Sequence, residues 1–116
     1  MILSTRSILS YNLTMNKMQK QYIDNPEKYK QIVWDYDIEA KTFFELLDGK
    51  IRKPWLDRDW ATARVLENIN YYDAMSLIDI AYLKLNWNNI KQRIYNTNIQ
   101  NGYEYLLQRR TIPSTR

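Results

Sequence analysis

Asp35, Asp37 and Glu39 alternate along the chain, and three carboxylates so close together are what a hard cation such as magnesium or calcium requires. No glycine follows at the position an EF-hand loop needs, and helix capping accounts for Asp37 and Glu39 without an ion, so no metal site is expected. Asp57 and Asp59 flank Arg58. Paired acids of this kind can act in glycoside hydrolysis, but acids at the start of a helix more simply complement its dipole. The 116 residues include no histidine and no cysteine. That removes the common zinc ligands, thiol nucleophiles, disulfides and neutral-pH proton relays together. The Arg and His pair of small helical ribonuclease toxins cannot form. The chain also lacks a glycine-rich phosphate loop and a GxSxG nucleophile turn. The expectation is a protein that is not an enzyme, with no catalytic residues, no metal and no cofactor.

What remains is chemistry of contact. Ten tyrosines and four tryptophans are spread through the chain. With arginine and asparagine, these are the side chains that interfaces and stacking surfaces collect. The turn Trp34-Asp35-Tyr36-Asp37 concentrates them and is the expected partner-binding site. A second possibility lies in the charge distribution. Residues 1–33 carry a net +3, residues 34–80 a net −4 and residues 81–116 a net +5, within a total of +4. The basic end could place Lys91, Arg93, Arg109 and Arg110 on nucleic-acid phosphates. Residues 71–83 and 87–95 would then form a helix-turn-helix-like pair, although the usual turn glycine is missing.

These residues need elements to position them. Two glycines and three prolines are few for an all-β chain, whereas cap signals recur before apolar sets of helical period. The sequence predicts an all-α, compact single-domain bundle of five or six short helices. Residues 1–25 read as an N-terminal arm or helix, 26–112 as the helical domain and 113–116 as a tail. Pro26, behind Asn25, starts a short helix towards Val33. Asp37 is expected to cap a helix over Ile38–Asp48 that Gly49 stops. Helices follow over Arg58–Asn68, from the cap Asn70 over 71–83, from a cap at Asn86 over 87–95, and around Tyr103, Leu106 and Leu107, ending before Pro113. The helix from Asn70 should turn Met75, Ile78, Ala81 and Tyr82 to a core that also holds Phe43, Leu47, Trp60, Val65, Leu66, Ile69, Ile90, Ile94 and Leu106.

No apolar run approaches the roughly 18–20 residues of a membrane span, so no membrane contact is expected. The start, Met1-Ile2-Leu3-Ser4-Thr5-Arg6, has no basic stretch followed by an apolar one, which predicts no signal peptide. With no cysteine, a cytoplasmic location is expected.

Three short motifs carry a family resemblance. They are Trp34-Asp35-Tyr36-Asp37, the aspartate-led helix from Asp59 to Arg64-Val65-Leu66-Glu67, and the terminal pair around Ile90–Ile94 and Tyr103–Leu107. In these the chain resembles small helical bacterial proteins with a Trp-Asp-x-Asp motif, whose genes lie beside those of nucleotidyltransferase-like toxins. The resemblance spans residues 34–110, departs from the family over Ile38–Leu56, and leaves residues 1–33 without a counterpart. It implies an antitoxin-like or regulatory partner of another protein, of bacterial or phage origin. By residue type alone, Arg64 and Glu67 also read as a surface pair at i, i+3.

Overall fold

Most helices begin where a short polar side chain holds the free N–H groups of a first turn. The computed structural model describes residues 16–114, with side chains as far as Gln108, and these form eight helices with no strand among the described residues. Asn16 and Gln19 exchange side-chain and backbone bonds as a capping box for α1 (Lys17–Asp24). Asn25 accepts from the Glu27 and Lys28 N–H groups to open α2 (Pro26–Ile32), with proline in the first turn. α3 (Ala40–Leu47) leads to α4 (Arg58–Asn68), which Asp57 caps through the Trp60 N–H. Asn70 caps α5 (Tyr71–Leu77), and Asp79 caps α6 (Ile80–Leu85). α7 (Trp87–Lys91) and α8 (Thr97–Ser114) complete the bundle, and Asn96 accepts from the Asn98 and Ile99 N–H groups at the start of α8.

α4 is the central helix, packed by α2, α3, α5 and α7. Ala61, Thr62, Ala63, Val65 and Leu66 are all buried along it. Thr62 is accommodated because its hydroxyl donates to the Arg58 carbonyl at 2.8 Å. Phe43, Phe44, Leu46 and Leu47 of α3 close one side, and Ala74, Leu77, Leu83 and Ile90 another. Of the expected core, Phe43, Leu47, Val65, Leu66, Ile78, Ile90 and Ile94 are buried, while Trp60, Ile69, Met75 and Leu106 pack at its edge.

α1 is fastened to this body. Gln19 is 1% exposed, and its amide donates to both Asp48 carboxylate oxygens, at 3.0 and 3.2 Å, and to the Leu77 carbonyl. Burial pushes the Asp48 carboxyl above its usual range, against the opposing pull of Gln19, Lys50 and Arg58. The Tyr22 hydroxyl donates to Asp73 at 2.9 Å, and the Asn16 amide to the Ser76 carbonyl. Residues 16–24 of the expected arm are thus part of the packed domain, and its first 15 residues lie outside those described.

Several boundaries differ from the sequence expectation. Asp37 does not cap α3. Glu39 holds that position without a side-chain bond, because the Tyr29 hydroxyl donates to the Ile38 carbonyl at 2.6 Å and keeps this stretch extended. The helix expected over 71–83 is two. Ile78 is extended (φ −102°, ψ 146°), and Asp79 starts a new helix by accepting from Ala81 and Tyr82 N–H groups. The break leaves Ala81 exposed and buries Leu77 and Leu83 instead. Asn86 finishes α6 rather than capping α7 with its side chain, since its amide donates to the Tyr82 carbonyl at 3.0 Å. α8 runs to Ser114 and so includes Pro113, beyond the end expected for it. Residues 115 and 116 of the expected tail lie outside the described residues.

Gly49 ends α3 as expected, at φ +77°. Its N–H bonds the Leu46 carbonyl and the Lys50 N–H bonds that of Glu45, the two bonds of a Schellman motif. A Cβ at this position would stand 2.6 Å from Arg58 Nη1. Gly49→Ala is therefore expected to destabilise the protein by about 1–2 kcal/mol, through the left-handed backbone and the displaced guanidinium. Urea titration of both proteins measures this, and an unchanged midpoint would contradict it.

Candidate functional site

The chain leaves α2 through Ile32 and Val33, both buried, and these anchor the extended turn that follows. Trp34 is 61% exposed and Tyr36 48% exposed. Large rings this open need support to hold a position, and Arg64 of α4 supplies it. Its Nε donates to the Ile32 carbonyl at 3.1 Å. Its Nη2 and Nη1 reach the two Asp35 oxygens at 2.5 and 3.3 Å, a forked pairing that only a guanidinium can make. The guanidinium carbon lies 4.4 Å from the Trp34 ring centre, 5.7 Å from Trp60 and 5.8 Å from Tyr36.

A ladder of edge-on rings ties the cluster to the core. Tyr36 meets Trp60 at 5.0 Å, Trp60 meets Phe43 at 5.8 Å, and Phe43 meets Tyr29 at 5.8 Å. Burial keeps the Tyr29 hydroxyl protonated far above its ordinary range, so it stays a donor to Ile38. The result is a cleft of about 730 Å³ lined by Trp34, Tyr36, Trp60 and Arg64 together with Arg93 and Tyr95. Glu67 fixes part of that lining by accepting from the Asn96 N–H at 2.8 Å. Arg64 and Glu67 are thus not the i, i+3 pair that their spacing allows. Each reaches a different segment.

Asp35, Asp37 and Glu39 do not converge. Asp35 is taken by Arg64, Glu39 stands at the start of α3, and Asp37 is exposed beyond the cluster. Among the described residues no three carboxylates are gathered so as to hold a metal ion. Asp57 caps α4 and pairs with Arg93 at 2.8 Å, and Asp59 accepts from the Tyr82 hydroxyl. Burial, reinforced by that carboxylate, pushes the Tyr82 hydroxyl up to about 12, so it remains a donor at neutral pH.

The cations expected on nucleic acid are occupied within the protein where they are described. Lys91 Nζ lies 3.3 Å from Glu104, whose carboxyl the Trp87 indole N–H, and then Lys91, hold below the usual range. Arg93 belongs to Asp57. The side chains of Arg109 and Arg110 lie outside the described residues, although the backbone there is helical. The proposed helix-turn-helix pair is replaced by the short α5 and α6 and the five-residue α7.

Sequence reasoning selected the Trp34–Asp37 turn but missed that Trp60, Arg64 and Tyr95 complete its surface. The first signal for Arg64 lay in the motif it shares with Glu67. No helix among the described residues is long and apolar enough to cross a membrane. Compared with known proteins, the chain matches no family model, no curated protein and no solved structure.

Proposed function

We propose that this chain is a non-enzymatic binding module, an antitoxin-like or regulatory partner of another protein in a bacterial or phage setting. The observation that carries the reading is the Arg64 cluster, an exposed set of aromatic rings held rigid by a bonded guanidinium. Tryptophan, tyrosine and arginine are the side chains that most often dominate protein interfaces. Rings already fixed in place lose little freedom when a partner covers them, which favours affinity. The resemblance around Trp34 and Arg64 supports the toxin-associated setting. The nucleic-acid alternative ranks second, because Lys91 and Arg93 already have carboxylate partners.

The test is co-expression with the product of the adjacent gene in the native genome, followed by size-exclusion chromatography with light scattering. A stable complex is expected. Trp34→Ala is expected to weaken it by about 30-fold or more, the range of an interface hot spot, while lowering the unfolding free energy by about 1 kcal/mol or less, the stacking on Arg64 that it forfeits. A protein that stays a partnerless monomer would defeat the reading.

A further inference from the structure

The cleft around Arg64 is bounded by Arg93, and Arg93 donates to Asp57 at 2.8 Å. Asp57 in turn lines a second cleft of about 440 Å³. One ion pair therefore joins a residue of the first cleft to a residue of the second. The second cleft is framed by the loop over residues 50–57, with Arg52 and Lys53, and by Arg58 and Tyr82. Arg58 is fully engaged. It donates to the Leu47 carbonyl at 2.9 Å, lies 3.8 Å from Asp79 and stacks 3.7 Å over the Tyr82 ring.

Arg52 and Lys53 differ. Both are exposed, and neither has a carboxylate partner among the described residues, whereas Arg58, Arg64, Lys91 and Arg93 each have one. On the same loop Trp55 is 91% exposed and makes no ring contact among the described residues. Pro54 before it narrows the loop's conformational freedom. An open indole beside two uncompensated cations is the composition of an interface anchor.

The charge of each cleft indicates what could lie across both. In the aromatic cleft Asp35 and Glu67 balance Arg64 and Arg93. In the second cleft Asp57 and Asp59 stand against Arg52, Lys53 and Arg58, and both acids are already bonded. The surface is neutral and aromatic at one end and cationic at the other. A polynucleotide suits it poorly, because its evenly repeated phosphates would face Asp35 and Glu67 at the neutral end.

We infer that the protein bound at the Arg64 cleft presents an acidic segment bearing an apolar anchor. The anchor occupies the space beside Trp34 and Trp60, and the carboxylates pass the Arg93–Asp57 pair to meet Arg52 and Lys53, with Trp55 packed alongside. This rests on the protein-binding reading and adds the chemistry of the partner to it.

A random peptide display library selected on the full chain tests it. Enriched peptides should be acidic and carry an aromatic or aliphatic residue. The best of them, made synthetically, should bind at least about 10-fold more weakly to the Arg52→Glu, Lys53→Glu double variant, and more weakly in high salt. That variant should melt with the wild type, since neither side chain has a described partner. Neutral or basic winners, or affinity unaffected by the double variant but lost in Trp34→Ala, would overturn the inference and leave the protein-binding reading standing. A library with no binder overturns the inference too. If in addition an oligothymidylate of about 20 nucleotides binds and the double variant abolishes that binding, the protein-binding reading falls with it.

Discussion

Replacing Phe43 with alanine is expected to lower the unfolding free energy by about 3–5 kcal/mol, among the largest losses for a single truncation of the core. Phe43 is wholly buried and meets three rings edge-on, Phe44 at 5.3 Å and Tyr29 and Trp60 at 5.8 Å. The change removes the transfer energy of the ring, leaves a void that rigid neighbours cannot close, and forfeits ring contacts worth about 0.5–1.5 kcal/mol each. Against a typical domain stability of about 5–15 kcal/mol, that is about a fifth of the total or more. Phe43→Leu keeps most of the volume but forfeits the ring contacts, and should lose about 1.5–3 kcal/mol, less than the alanine variant. Trp60 loses its backing in the alanine variant, so the aromatic cleft should loosen along with the core. Chemical denaturation of the three proteins checks the order. An alanine variant within about 1 kcal/mol of the wild type would show that α3 does not seat on α4 through this ring.

The features legible in the sequence were the local ones. Asn25 and Asn70 are caps because a short side chain reaches N–H groups two or three residues ahead, and nothing distant competes. Gly49 stops α3 because no other residue takes a positive φ so freely. The split at Ile78 was harder to see, since 71–83 carries apolar residues at helical spacing throughout. Its signal was Asp79, a good cap in the middle of an apparently continuous helix. Asp37 failed as a cap because Tyr29, eight residues earlier, holds the stretch extended through Ile38.

The site was half legible for the same reason. Trp34 and Asp35 were visible as a motif, and so were Arg64 and Glu67. That Arg64 folds back to Asp35 depends on α2 packing against α4, which no spacing within either segment encodes. Arg52, Lys53 and Trp55, exposed and with no ion pair or ring contact among the described residues, became visible only against the bonded cations around them. Exposure is a property of the folded whole.

Arg64→Lys is expected to be nearly as damaging as Arg64→Ala, despite keeping the charge, with each losing about 2–3 kcal/mol. The reasoning divides the side chain's work into three parts. The Ile32 carbonyl belongs to a fully buried residue, and Arg64 Nε is a described donor to it, so removing that donor strands a buried acceptor at about 1–3 kcal/mol. The guanidinium stacks on Trp34, and an exposed contact of this kind contributes about 0.5–1 kcal/mol. The pair with Asp35 contributes least, because the Asp35 side chain is 41% exposed and its charge stays hydrated. An ammonium is a single point of charge that cannot donate to Ile32, fork to Asp35 and lie flat on a ring at once. Asp35→Asn alone should therefore lose under about 1 kcal/mol, and most of the Arg64→Ala loss should persist in the Asp35→Asn background. Denaturation of the two single variants and the double variant completes the cycle. If Asp35→Asn alone matched Arg64→Ala, the ion pair, and not the buried carbonyl and the ring, would be what holds the Trp34 turn in place.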